Sequence, residues 1–278
     1  MSVVTSPSQL WTGGGATGAP SHVRRLRHRM RTVVSEHPRL YLPLARRRYP
    51  GPSPRVVGPG TEAVIDGYTR SASTFAVYAF QLSQPRPVRL AHHLHAPAQL
   101  MEAARLRLPT VMVVREPRGA VLSQMVREPD VDLLDALFAY QRFHRSLMSY
   151  RDAFVVADFP EVTQRFGDVV RRANIKFGTD FGVFSGTETE MAECNRMIEQ
   201  RPTLSPVLLG FESGEVTMQQ ARAHLDALEA VPADDPVWAP SDARERAKNR
   251  LQDLWCSPRV AGARAAAEAA YEAFLDRS

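Results

Sequence analysis

Residues 68–75 read Tyr-Thr-Arg-Ser-Ala-Ser-Thr-Phe, which crowds four small hydroxyls and a guanidinium into one short turn. Ser71, Ser73 and Thr74 can each donate a hydrogen bond to an anion's oxygens. Arg70 adds a fixed charge on a planar fork suited to phosphate or sulfate. The competing reading is a helix cap by Ser71 or Ser73 beside a surface arginine. Arg115 and Ser123, eight positions apart, form a second group. They converge on one anion if Arg115 ends a strand and Ser123 lies on the next helix; otherwise Arg115 belongs to a structural ion pair. His92, His93 and His95 form a third group. Histidine titrates near neutrality and serves as a general base. Along an extended chain His93 and His95 share a face and His92 points away, so His92 reads as a solvated loop residue. No Cys, Asp or Glu flanks the three histidines to complete a four-ligand zinc site, and no metal is expected.

The flanking segments supply the elements these residues need. Ala63, Val64 and Ile65 read as a short buried strand, Gly67 allows a turn, and Phe75 to Leu82 continue as an apolar helix. Strand, polar turn and helix together make a phosphate cradle, because the first N–H groups of a helix lack partners and lie at its positive end. It is not a Walker loop, since no Gly-Lys pair occurs in the chain. Val88 to Ala91 form a strand leading into the histidines. Val111 to Val114 form a continuous apolar run, as a buried parallel strand does, with Arg115 at its carboxyl end and a helix opening after Pro117. A further strand begins near 154. Strands near 63, 88, 111 and 154 alternating with helices predict an α/β three-layer sandwich with a mostly parallel sheet, whose ligands sit at the carboxyl ends of the strands.

Taken together, the three groups resemble one family, the bacterial sulfotransferases that use 3′-phosphoadenosine 5′-phosphosulfate (PAPS). Residues 68–75 resemble the family loop Y-P-K/R-S-G/A-T/N-T-W/F. Arg115, Pro117 and Ser123 match its second signature in type and spacing, and His95-Ala96-Pro97 resembles the H-x-P that ends an intervening strand. The resemblance spans 62–125 and continues more softly over 137–181. Thr69 stands for the family's Pro, Ala72 for its commoner Gly and Arg70 for its frequent Lys. Phe159-Pro160-Glu161 replaces a Tyr-Glu-Asp.

The resemblance implies a sulfotransferase acting on a small-molecule, sugar or lipid acceptor through a hydroxyl or amine. It implies Arg70 at the leaving phosphate oxygen and Ser71, Ala72, Ser73 and Thr74 around the 5′-phosphate. His95 would be the general base with His93 beside it, and Arg115 and Ser123 would hold the 3′-phosphate. Phe75 would lie near the adenine or in the core. A late basic loop is sought in 241–251, where Arg244 and Lys248 share a helix face. PAPS is the co-substrate implied, with no metal. An unusual P-loop kinase and a noncatalytic nucleotide-binding protein stay open beside it.

Composition bounds the rest. Two cysteines, Cys194 and Cys256, exclude a disulfide scaffold, and no apolar run is long enough to span a membrane. Residues 1–55 hold ten arginines against Glu36 and carry +9; with +5 for the whole chain, the remainder carries −4. Residues 1–22 read as a tail without a secretion pattern, which makes a cytoplasmic location the expectation. Residues 23–61 read as a basic helical arm and linker, with Pro38 and Pro43 breaking its helix. The arm is expected to dock on the domain by an apolar face; peripheral membrane contact, or an arm-driven membrane- or nucleic-acid-binding protein, is the alternative, and no specific nucleic acid is expected. Residues 62–278 form the main domain. Within it 184–240, helical at 188–200 and 215–230, reads as an insertion that helps build the acceptor pocket or a lid. Residues 260–275 read as a packing helix, and Tyr140, Phe143 and His144 as core aromatics or pocket lining.

Overall fold

Short apolar runs set the centre of the molecule. In a computed structural model that describes residues 22–49, 55–201, 205–228 and 242–276, four strands form one parallel sheet. They are β1 (Ala63–Gly67), β2 (Leu90–His92), β3 (Thr110–Val114) and β4 (Val155–Asp158), in the order β2-β1-β3-β4. Ile65 lies beside His92 on one side and Val111 on the other, and Val114 beside Asp158. Every residue of β1 and β3 is buried, as central parallel strands require. Gly67 ends β1 because a Cβ there would meet the Val113 carbonyl oxygen at 2.0 Å.

Strand alternation divides the core into two layers. Val64, Met112 and Val114 face α2 (Pro38–Arg48), α4 (Pro97–Arg105), α5 (Pro117–Arg127), α6 (Leu133–Leu147) and α14 (Ala261–Leu275). Ile65, Val111 and Val113 face α3 (Ser73–Ser83), α7 (Phe159–Gln164), α8 (Phe166–Phe177), α9 (Glu188–Gln200), α10 (Pro206–Ser213) and α11 (Met218–Ala227). The architecture is the α/β three-layer sandwich expected from the alternation of patterns. The strands fall within two residues of their expected starts, and α9 and α14 fall where the sequence puts them. The 215–230 reading shortens to α11, and α10 precedes it as a helix the sequence reading did not separate. Residues 1–21, the proline-rich 50–54 and the 231–240 run lie outside the described residues.

The arm differs from its expectation. Helix α1 (His22–Val34) is docked by charge: Arg24 pairs with Asp130 at 2.9 Å, and Arg25 and Arg29 both donate to the buried Asp135, at 2.9 and 2.6 Å. Its apolar residues Val23, Leu26, Met30 and Val33 face outward. A guanidinium meeting a buried carboxylate makes a stronger anchor than a narrow apolar stripe on a helix this basic. Helix α2 does pack by apolar residues, burying Leu42 and Ala45. Pro38 starts α2 at its first turn, where a missing N–H costs nothing, whereas Pro43 lies inside the helix without ending it.

Candidate active site

The loop between β1 and α3 is wound tightly. Arg70 and Ala72 both hold left-handed backbone, at φ 67° and 70°, and so do His93 and His95 across from them, at 53° and 51°. These are four of the five non-glycine residues with positive φ among the described residues, the fifth being Arg107. Each costs about 1–2 kcal/mol, and such conformations gather where geometry serves a site. Ala72, standing where glycine would fit without penalty, is the N-cap residue of α3, and no side chain caps that helix. The cap reading of Ser71 and Ser73 therefore fails. Both hydroxyls are buried and make no hydrogen bond within the protein. They sit beside the unpaired first N–H groups of α3, which is the donor set a phosphate requires.

The second group is linked through Arg70. Arg115 follows β3 and donates from NH1 to the Arg70 carbonyl oxygen at 3.1 Å. Ser123, fully buried on α5, accepts from Arg70 Nε at 2.9 Å and from the Arg244 guanidinium. Arg244 comes from α12 (Asp242–Asn249) and is buried. Arg70 thus turns toward Ser123 rather than toward Thr74. Burial, then Arg244, Arg127 and Arg115, pulls Arg70 well below the usual arginine range. Burial and Arg115 pull Arg244 to about 10, and burial lowers Arg115. Arginine stays charged at neutral pH, so these shifts express how strongly the cluster favours an anion. Lys248 does not join it: its ammonium pairs with Glu245 one turn back.

The histidines divide by their partners. His95 Nδ1 lies 2.9 Å from the Gly67 carbonyl oxygen, which can only accept, so Nδ1 carries the proton and Nε2 holds the lone pair. His93 uses both ring nitrogens, Nε2 on Thr74 Oγ1 at 3.0 Å and Nδ1 on His92 Nδ1 at 2.6 Å. His93 holds Thr74, and His95 keeps a nitrogen for other work. His92 is not a solvated loop residue: it is 2% exposed, with Nε2 3.2 Å from Ser213 Oγ. β2 is an edge strand, and α10 packs over it at that point.

Two buried acids organise this corner, and the sequence reading missed both. Asp66 accepts from the backbone N–H of Gly67, Leu94 and His95 and from Gln99 Nε2 at 2.8 Å, which pins the histidine loop to β1. Glu212 on α10 accepts from Arg201 at 2.6 and 3.2 Å and from the Tyr78 hydroxyl at 2.8 Å. It also lies 3.8 Å from His92 Nδ1 and 3.7 Å from His93 Nδ1. His92, His93 and Glu212 thus bring together the ligand types that the local sequence lacks for a metal. Arg201 already engages the carboxylate on two oxygens, a charge arrangement that disfavours a cation there.

Three of these imidazoles make folding pH-dependent. Burial pushes His92 down to about 3 and His144 to about 4, and burial with Arg201 pushes His93 well below its ordinary value. The unfolded chain binds these protons below about pH 6.5 and the folded chain does not. Stability is therefore intact above 6.5 and lost as pH falls toward 4, at about 4 kcal/mol per unit for three groups. Thermal melts are expected to drop steeply between pH 6.5 and 5; a flat melting point across that window contradicts the assignment.

Phe75 lies in the core edge-on to Phe184, their centroids 6.2 Å apart. Phe159 lies under Arg115, whose guanidinium carbon is 3.9 Å from the ring centroid. Glu161 closes the capping box of α7 and pairs with Arg172, a structural role. Tyr140 and His144 are core residues, Tyr140 donating to the Arg115 carbonyl oxygen at 2.5 Å. A pocket beside His95 is walled by His28, Arg31 and Glu36 near the arm, by Tyr68 and Thr69, and by Glu128 and Phe143. The arm, not the 184–228 region, supplies its far wall. No protein-family model, curated protein or solved structure matches this chain.

Proposed function

We propose that the chain is a PAPS-dependent sulfotransferase, and the observation that carries the reading is the meeting of Arg70 and Arg244 at Ser123, with Arg115 on the Arg70 carbonyl oxygen, beside a loop whose Ser71 and Ser73 hydroxyls have no protein partner. Two anion sites side by side suit a donor with phosphates on both ends of its ribose. The loop N–H groups, Ser71, Ser73 and Thr74 hold the 5′-phosphate. Arg115, Ser123 and Arg244 hold the 3′-phosphate, which separates this donor from ATP. Arg70, hydrogen-bonded to Ser123 and anchored in the loop, lies between the two and answers the charge that grows on the leaving oxygen.

His95 Nε2 accepts the proton of the acceptor hydroxyl as its oxygen bonds to sulfur and the bond from sulfur to the 5′-phosphate oxygen breaks. Positioning and electrostatics carry most of the acceleration, as in phosphoryl transfer. The pocket between the arm and Tyr68 takes the acceptor, and its mixture of Arg31, Glu36 and Glu128 suits a polar, hydroxylated one. Both cysteines are free, as a reducing compartment allows, and we place the reaction in the cytoplasm.

Calorimetry with adenosine 3′,5′-bisphosphate, AMP and ATP tests the donor site. Micromolar binding that needs the 3′-phosphate is expected. Arg115→Ala is expected to weaken it about 10- to 100-fold, the cost of one charge-assisted contact of 1.5–3 kcal/mol. Equal binding of ATP points to the kinase reading, and binding of none of the three ends the donor assignment.

A further inference from the structure

Helix α1 turns Arg24 and Arg25 toward the body and its apolar residues outward. At about 100° per residue, Val23, Leu26, Met30 and Val33 fall within one arc of about 80°. Their exposures are 75, 60, 58 and 37%. The next helix, α2, exposes Leu40 and Leu44, so this short segment holds six of the eleven exposed large apolar residues of the described chain. Arg27 borders the α1 arc on one edge and Arg29 on the other, and Arg39 and Arg47 are exposed on α2. Residues 22–48 carry nine arginines against a single acid, Glu36. On the body, Asp130 pairs with Arg24, Asp132 with Arg25, and Asp135 with both Arg25 and Arg29.

We propose that this outward face of α1 docks on an anionic lipid bilayer. An apolar stripe on a segment this basic meets such a surface on both counts: the stripe enters the acyl boundary, and the positive charge of the segment, with Arg39 and Arg47 exposed on α2, attracts the headgroup phosphates. A second copy of the same face meets it on only one, because two segments this basic repel. A nucleic-acid backbone satisfies the arginines and leaves the stripe in water. No helix of the described chain is long and apolar enough to cross a membrane, so the contact lies in the interface plane. The opposite side of α1, with His28, Arg31 and Thr32, walls the pocket beside His95, so docking brings that pocket to the lipid surface.

The full chain is floated with vesicles of phosphatidylcholine, alone and with phosphatidylglycerol. Binding to the anionic vesicles, weakened by added salt and weak on the neutral ones, is expected. Leu26→Asp/Met30→Asp removes two exposed side chains and is expected to lower partition at least about tenfold. Adenosine 3′,5′-bisphosphate binding by the same variant checks that it folds, and tests the donor site independently of the lipid result. Wild-type protein that stays unbound, or a folded variant that floats as well as wild type, overturns the proposal. So does light scattering that finds a dimer broken by the two substitutions, which would assign the face to a second copy of the chain.

Discussion

His95→Ala is expected to lower the rate of sulfuryl transfer by about 10²–10⁴-fold while leaving adenosine 3′,5′-bisphosphate binding unchanged. The size follows from the role: a positioned general base contributes that range, and among the three histidines only His95 keeps a ring nitrogen outside the protein's own hydrogen bonds. The variant also loses the Nδ1 bond to Gly67, so a slow enzyme alone does not separate chemistry from loop placement. His95→Asn does. Asparagine tolerates the left-handed backbone at this position, and its amide can donate to the same carbonyl, but it offers no base. Release of adenosine 3′,5′-bisphosphate from PAPS, measured with an acceptor found in a screen of hydroxylated compounds, is expected to stay slow in both variants. Recovery in His95→Asn assigns His95 a positioning role. Wild-type rates in His95→Ala remove His95 from the chemistry, and a wild-type protein that turns over no acceptor in the screen supports the noncatalytic reading.

What the sequence carries about this site is local, and what it misses is long-range. The strand-turn-helix of residues 63–82 announces itself by an apolar triplet, a glycine and a polar turn. The placing of Arg115 at a strand end and Ser123 on the next helix follows from an apolar run and Pro117. Even Arg244 is picked out, as one of the basic residues on a helix in 241–251, although its burial is not legible there. The failures share a cause. His92 looks solvated because nothing near it in sequence says that α10 covers it, 121 residues away at Ser213. Glu212 and Asp66 each interrupt an apolar run, Pro-Val-Leu-Leu-Gly-Phe-Glu and Ala-Val-Ile-Asp. An acid in a buried run must find donors, which is the signal available for both, but it names no partner. The arm fails differently. Its period is helical and its apolar residues are correctly grouped, yet periodicity does not say which face meets the body. Asp135 decides that, because a buried carboxylate left without its arginines costs more than four apolar residues left in water.

Glu212→Ala is expected to be the most destabilising single substitution among the polar residues of this site, at about 3–5 kcal/mol. The carboxylate is fully buried and answers Arg201 on two oxygens, with Arg55 contributing to the same field. Removing it strands a guanidinium that water cannot reach and leaves the Tyr78 hydroxyl without its acceptor. It also removes the negative charge that lies between His92 and His93, so the chain that holds Thr74 loosens as well. The double replacement Arg201→Met/Glu212→Leu distinguishes a stranded charge from a hole. Two apolar side chains of similar volume remove both charges together, and stability is expected to recover to within about 1–2 kcal/mol of wild type. Chemical denaturation of the three proteins at pH 7 checks both numbers. If the double variant is as unstable as Glu212→Ala, packing around α10, and not the ion pair, is what the single substitution breaks. If it is stable but binds adenosine 3′,5′-bisphosphate weakly, the buried network acts on the phosphate loop through His93, and its charge serves geometry at Thr74 rather than folding.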